Sequence, residues 1–473
     1  MDIRRNSMIK FPTRRIAIKN YRCALVNTKI EEYLRRVKDL ELQCSSQNFS
    51  SQSLAPESTL TTSPLQQLGW TLLSLAGLKH LHDSSILNGR ALVRSPFNTV
   101  NALPVSSPNS KRILLNCSET LRSGLKTGMQ RVTRNLAKYG EMTGAAVPCT
   151  YRTVSAREKY MPFQKTILKL DRNDILFLPE HTEVEHDIEL VKRALNASGE
   201  IVVLVHDLIP LSYRETCDPS HVDHACYWFK TILPLADRII SPTKATALEV
   251  EDFMRRFPFK RLKKIGWFHH GADLDEINQS PAKEVSNTVR ALRDIPIFLS
   301  VGTLEPRKCH HIALDAFDLL WRAGLDVCYI ICGKKGWNAE ALEKRILTHA
   351  ELGSRLFWFK DASDADLALL YKSSSSLIFS SIAEGFGLPF IEAMRYGTPV
   401  IASDIPVFRE IGQDFATYFT VADADSLAKA IRDALNTGFK APNCKLATWD
   451  EVGELVFGLV RDDPRFGDNW VGS

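Results

Sequence analysis

The chain has 473 residues, 44% of them apolar and 24% charged, with a formal net charge of +5. That length supports two packed domains plus extra segments, and the composition excludes a small disulfide-stapled fold. The modest charge gives no reason to expect a nucleic-acid partner.

No stretch reaches the roughly 18 to 20 apolar residues that span a bilayer. The best candidate, Leu68 to Leu81, is broken by Lys79 and His80. The N-terminus carries Arg4, Arg5, Lys10, Arg14 and Arg15 but no continuous apolar core of a secretory signal. The ten cysteines are scattered, and the closest pair, Cys328 and Cys332, falls in the apolar run VCYIIC. Thiols in such a run behave as small hydrophobes. The expectation is a cytoplasmic chain with reduced thiols. Its basic N-terminus is read as a solvated tail or, alternatively, as a foothold on the anionic inner face of a membrane.

Residues 1–110 open with a helix-like patch (Ile30, Leu34, Val37, Leu40) and pass into a Ser/Thr/Gln/Pro-rich run from Cys44 to Gln67. They are read as an extension, largely disordered or forming short helices. From Arg112 short apolar runs alternate with longer helical ones, the pattern of parallel sheets covered by helices. Strands are expected at Arg112 to Leu115, Ile175 to Leu178, Ile201 to Val205, Arg238 to Ser241, Ile297 to Val301, Val327 to Cys332, Leu356 to Phe359, Leu377 to Phe379 and Pro399 to Ala402. The polar stretch Leu274 to Asp294 reads as a linker. The fold class is therefore α/β, with two doubly wound Rossmann-like domains, 111–285 and 286–473, facing across a cleft. Ligands of such sheets bind at the carboxyl ends of the strands.

The most informative segment is SSIAEGFGLPFIEAMRYGTPVIASD, residues 380–404. Pro389 suits the first turn of a helix running to Arg395. Gly385 and Gly387 let backbone approach a ligand, and the free N–H groups of Phe386, Leu388 and their neighbours favour a diphosphate. Glu384 lies in the loop, where a sugar would sit and where a carboxylate contributes little packing. Glu392 lies on the helix, within reach of ribose hydroxyls. The alternative is a capped surface helix. FLSVGTLEPRKCHH (298–311) runs from a buried strand through Gly302 into Arg307 and Lys308. Two fixed cations would stabilise a departing nucleoside diphosphate; the alternative is a solvated pair. ICGKKGWN (331–338) follows a strand with Gly333, and SGLKTGMQR (123–131) sets Gly128 before a helix. VHDLIP (205–210) puts His206 at the carboxyl edge of a strand, with Asp207 as a loop or helix cap.

Together these motifs resemble the retaining family 4 glycosyltransferases (glycosyl transferases group 1), over about Arg112 to Leu459. The resemblance implies the two-domain GT-B fold, Glu384 on donor-sugar hydroxyls, Glu392 on the ribose, and Arg307 with Lys308 on the diphosphate without an obligatory metal. It further implies Gly128 near the phosphates, although the Leu125-Lys126-Thr127 insert departs from the family's simplest loop. His206 would be a hydrogen-bond donor to the donor sugar, and a last helix at Thr448 to Asp462 would pack back across the cleft, or else simply end the second domain. The wording of the second domain looks most like bacterial mannosyltransferases of polysaccharide assembly. That makes GDP-mannose the first-choice donor and a glycan or lipid-linked sugar the acceptor.

No cofactor is expected. His221, His224, His310 and His311 lack a third ligand at metal spacing, so no metal site is expected either. A nicotinamide dehydrogenase would need G-x-G-x-x-G after its first strand, where this chain has CSETLRSG. A sugar-nucleotide epimerase of the same shape would share the diphosphate site, and a non-catalytic binding protein would show damage at Arg307, Lys308, Glu384 or Glu392.

Overall fold

The computed structural model describes residues 111–123, 128–149, 174–181, 184–256, 264–272, 280–440 and 445–471, with the short segments 92–93 and 166–167. The extension expected over 1–110 otherwise lies outside the described residues. Leu92–Val93 (β1) pairs antiparallel with Thr166–Ile167 (β4).

Two six-stranded parallel sheets carry the fold. The first is made of Arg112–Asn116 (β2), Val147–Cys149 (β3), Asp174–Leu178 (β5), Glu200–Leu204 (β6), Arg238–Ser241 (β7) and Lys264–Trp267 (β8), in the order β3-β2-β5-β6-β7-β8. Three of its inner strands, RILLN, DILFL and EIVVL, carry continuous apolar runs behind a polar first residue, because helices cover both faces. The second contains Ile297–Val301 (β9), Cys328–Cys332 (β10), Leu356–Phe359 (β11), Ser376–Phe379 (β12), Val400–Ser403 (β13) and Ala416–Phe419 (β14). Its order is β11-β10-β9-β12-β13-β14, so the winding reverses between β9 and β12. A crevice opens at the carboxyl ends of two such strands.

One expectation changes. The stretch read as a linker contains a helix, Lys283–Ala291, whose Val285 is buried in the second core with Leu292 and the partly buried Val289. This i, i+4, i+7 stripe is helical, and its polar surroundings hide it in the sequence. The helix Trp449–Arg461 packs back on the first domain, the first of the two arrangements expected for the last helix. Trp449, Val452, Val456, Phe457 and Val460 share a core with Ile113, Leu115 and Phe177. Thr448 and Glu451 form its capping box. Gly453 lets it close on the helix Gly128–Thr143, since a Cβ there would stand 2.4 Å from the Tyr139 ring.

Candidate functional site

The crevice between β9 and β12 is built from three loops. β9 leaves through Gly302 (φ +148) and β10 through Gly333 (φ +155). A Cβ on Gly333 would sit 2.0 Å from the Gly302 carbonyl oxygen, so only glycine permits this approach. After Gly302 a short 3-10 turn, Pro306–Lys308, leads through left-handed Cys309 (φ 49) into the helix His310–Arg322. Backbone and hydroxyl groups stitch this turn to the loop after β12. The Ile382 N–H donates to the Arg307 carbonyl at 2.9 Å, and the Ser380 hydroxyl donates to the Lys308 carbonyl at 2.7 Å.

The stitching brings three charges together. Lys308 Nζ lies 2.5 Å from Glu384 Oε1, and Arg307 Nη1 lies 3.0 Å from the same oxygen. Arg307 also reaches Glu305 Oε2 at 3.2 Å, and the Ser381 hydroxyl donates to Glu384 Oε1 at 2.7 Å. The expectation that Glu384 contributes little packing is therefore corrected. Its side chain is 8% exposed and supplies the counter-charge that two partly buried cations need. Burial alone would raise its carboxyl, but Lys308 and Arg307 more than offset that and hold it at about 2. Burial lowers Lys308, with Arg307 adding to the effect, while Glu384 opposes it.

The loop then seats itself in the first domain. The Gly385 carbonyl accepts from the hydroxyls of Thr243 and Thr246, both at 3.1 Å. Phe386 is buried, with its ring 4.4 Å from that of His270. Left-handed Gly387 (φ +96) starts the helix Leu388–Arg395, with Pro389 in its first turn as expected. Leu388 lies against Gly128, its Cδ1 3.3 Å from where a Cβ would stand. Residues 124–127 lie outside the described residues. On that helix Glu392 is buried, accepts from the Tyr371 hydroxyl at 2.8 Å and pairs with Arg131 of the first domain.

His206 faces the same region from the first sheet, 91% buried, with its Nε2 2.8 Å from the Pro179 carbonyl oxygen. A carbonyl only accepts, so Nε2 carries a proton, and burial lowers the imidazole pKa while the Pro179 bond and Asp207 oppose the shift. Nδ1 is the ring nitrogen that this bond does not use. Asp207 caps a turn by accepting from the Ile209 N–H at 3.0 Å.

Sequence reasoning missed Arg131, Tyr371, Ser381 and Glu410. The last, on the helix Pro406–Gly412, accepts from the N–H groups of Lys244 and Ala245 at 2.7 and 2.8 Å and lies 2.7 Å from His269 Nε2. These partners stand far apart in the chain, and no local pattern announces them. Among the described residues no group of three His, Cys, Asp or Glu side chains is placed to hold a metal ion. Cys328 and Cys332 are buried free thiols, pushed up to about 12 by burial.

Fold and site together define a protein of two doubly wound α/β units with an ion cluster at the switch point of the second sheet. Residues 284–447 match the profile of the family described as Glycosyl transferases group 1. It is 33% identical over 378 residues to the serotype-specific mannosyltransferase WbdA of Escherichia coli, a match covering 74% of this chain and 46% of that protein. It is 28% identical over 231 residues to the O-antigen chain mannosyltransferase RfbU of Salmonella typhimurium, covering 49% of this chain and 60% of that protein. The chain thus spans about half the length of the WbdA proteins it matches. A crystal structure of Anabaena Alr3699/HepE in complex with UDP and glucose is 15% identical with a TM-score of 0.49, covering 76% of this chain and 97% of that one.

Proposed function

We propose that the chain is a retaining glycosyltransferase of family 4 that moves a hexose, mannose from GDP-mannose as first choice, to a glycan or lipid-linked acceptor in polysaccharide assembly. The observation that carries the reading is the convergence of Lys308 and Arg307 on Glu384 at the switch point. Glu384 and Glu305 together balance the two cations. A diphosphate would take over the two cations and free the Glu384 carboxylate for the hydroxyls of the sugar. As the glycosidic bond breaks, negative charge grows on the departing diphosphate, and Arg307 and Lys308 stabilise it there. The first N–H groups of the helix Leu388–Arg395 add donors to the same anion. His206 faces the donor sugar, and Glu392 receives the ribose. The proposed setting is the cytoplasm, with contact of the basic N-terminus on the inner face of the membrane as the alternative to a solvated tail. No helix among the described residues is long and apolar enough to cross a membrane.

The test is a panel of nucleotide sugars scored by thermal stabilisation and by transfer to a mannose-containing acceptor. The anomeric configuration of the product is read by NMR. Transfer from GDP-mannose with retention supports the reading, and a panel in which no nucleotide sugar stabilises the protein or donates overturns it.

A further inference from the structure

Glu392 is held by both domains. Tyr371, on the helix Asp364–Ser373, donates to its Oε2 at 2.8 Å. Burial, reinforced by the nearby Glu392 charge, pushes the Tyr371 phenol well above its ordinary range, so it stays protonated and donates. The other oxygen, Oε1, pairs with Arg131, which stands 261 residues away on the helix Gly128–Thr143 of the first domain. The same guanidinium lies 3.8 Å from the exposed Asp364, so Glu392 is its close partner.

A carboxylate offers about four acceptor sites, and these two donors occupy one on each oxygen. What remains is one site per oxygen, with the plane of the group fixed from two directions. Two vicinal hydroxyls present donors at that spacing. The guanidinium is planar and does not lose its proton, so it suits this fixing role better than an ammonium. Gly128, one turn before Arg131, packs on Leu388 at the start of the helix that carries Glu392, so helix and guanidinium are seated together.

We infer that Arg131 is a positioning residue for the nucleoside end of the donor, setting the Glu392 carboxylate from across the cleft so that its free sites meet the two ribose hydroxyls. The inference rests on the transferase reading and adds to it that nucleoside binding depends on how the domains are seated. A role in gluing the domains together would be indifferent to the ribose hydroxyls, and this separates the two.

The experiment titrates the full chain and its Arg131→Met and Arg131→Lys variants with GDP and with 2′,3′-dideoxy-GDP by calorimetry, with melting followed separately. Expected is an affinity for GDP about tenfold weaker in Arg131→Met, the scale of a hydrogen bond to a charged group, and partly recovered in Arg131→Lys. The dideoxy analogue, lacking the hydroxyls, should bind all three proteins alike. Equal GDP affinity in wild type and Arg131→Met overturns the inference. So does an equal loss for GDP and the dideoxy analogue, which marks a purely structural contact. If the wild-type chain binds no nucleoside diphosphate when UDP and ADP are added to the series, it is the transferase reading that falls.

Discussion

Replacing Glu384 by alanine separates what this side chain does for the resting protein from what it does for a ligand. Its carboxylate stands 2.5 Å from Lys308 Nζ and 3.0 Å from Arg307 Nη1. Removing one partner of a buried ion pair leaves an uncompensated charge, which costs about 3–5 kcal/mol. Arg307 keeps Glu305 as a second partner, so the lower end, about 3 kcal/mol, applies. Linkage gives a similar figure. The carboxyl sits at about 2 against an ordinary 4.5. At 1.36 kcal/mol per unit that difference is worth about 3 kcal/mol of stability. A lowered carboxyl contributes this fully above the ordinary value and loses it as pH falls toward 2. In a domain of this size each kcal/mol moves the melting midpoint by roughly 2–4 °C, so a fall of roughly 6–12 °C is expected at neutral pH. Scanning calorimetry of Glu384→Ala reads it, with Glu384→Gln beside it to keep the volume and lose the charge. A midpoint within about 2 °C of wild type in both variants would refute the reasoning.

Lys308→Ala should lower turnover by about a hundredfold and weaken nucleoside diphosphate binding, because product and transition state share the charge. Equal diphosphate affinity in variant and parent would show that the lysine serves only Glu384. Gly385→Ala would bring a Cβ to within 1.9 Å of the His206 carbonyl oxygen, so the loop should leave its seat against Thr243 and Thr246. Faster proteolysis at the cleft and lost transfer are the expected readouts, and an unchanged protein would deny the seating. His310 is buried and held at about 4, with burial the leading cause, against an ordinary 6.5. Below pH 6.5 the unfolded chain takes up a proton that the folded one refuses, so stability should fall by up to about 3 kcal/mol on the way to pH 4. His310→Gln should flatten that acid limb in melting curves, and an unaltered slope would exclude this histidine as its source.

Apolar runs and punctuation made much of the architecture legible. The nine strands expected from such runs all occur, with ends shifted by at most two residues, because a parallel strand covered on both faces must be continuously apolar. Three of the four edge strands of the two large sheets, β3, β8 and β14, went unread, whereas the aromatic run LFWF made the fourth, β11, legible. VPC, KIGW and ATYF are short, and their positions are only partly buried, so their sequences carry no such run. Pro389 marked the helix Leu388–Arg395 at both its start and its course. The loop residues of the site were readable because glycine is demanded locally, as at Gly302 and Gly333. Their partners were not. Nothing near Glu392 in the chain signals Tyr371 or Arg131, and nothing near Lys244 signals Glu410, since those bonds exist only once two sheets have formed and met.

The return of the last helix makes the first domain discontinuous in sequence. Its core is completed by residues 449–461, so the second sheet is in effect an insertion, entered near 280 and left near 445. Two crossings join the units, and a cut at either one yields no fragment with a whole first domain. A chain nicked between 273 and 279 should therefore stay assembled, its pieces held by Trp449, Val456 and Phe457 in the other half's core. A truncation before Thr448 would strip the cover from Ile113 and Phe177 although it removes no residue of the second sheet. Exchanging donor domains between relatives would work only as an internal cassette spliced at both crossings, never as a terminal swap.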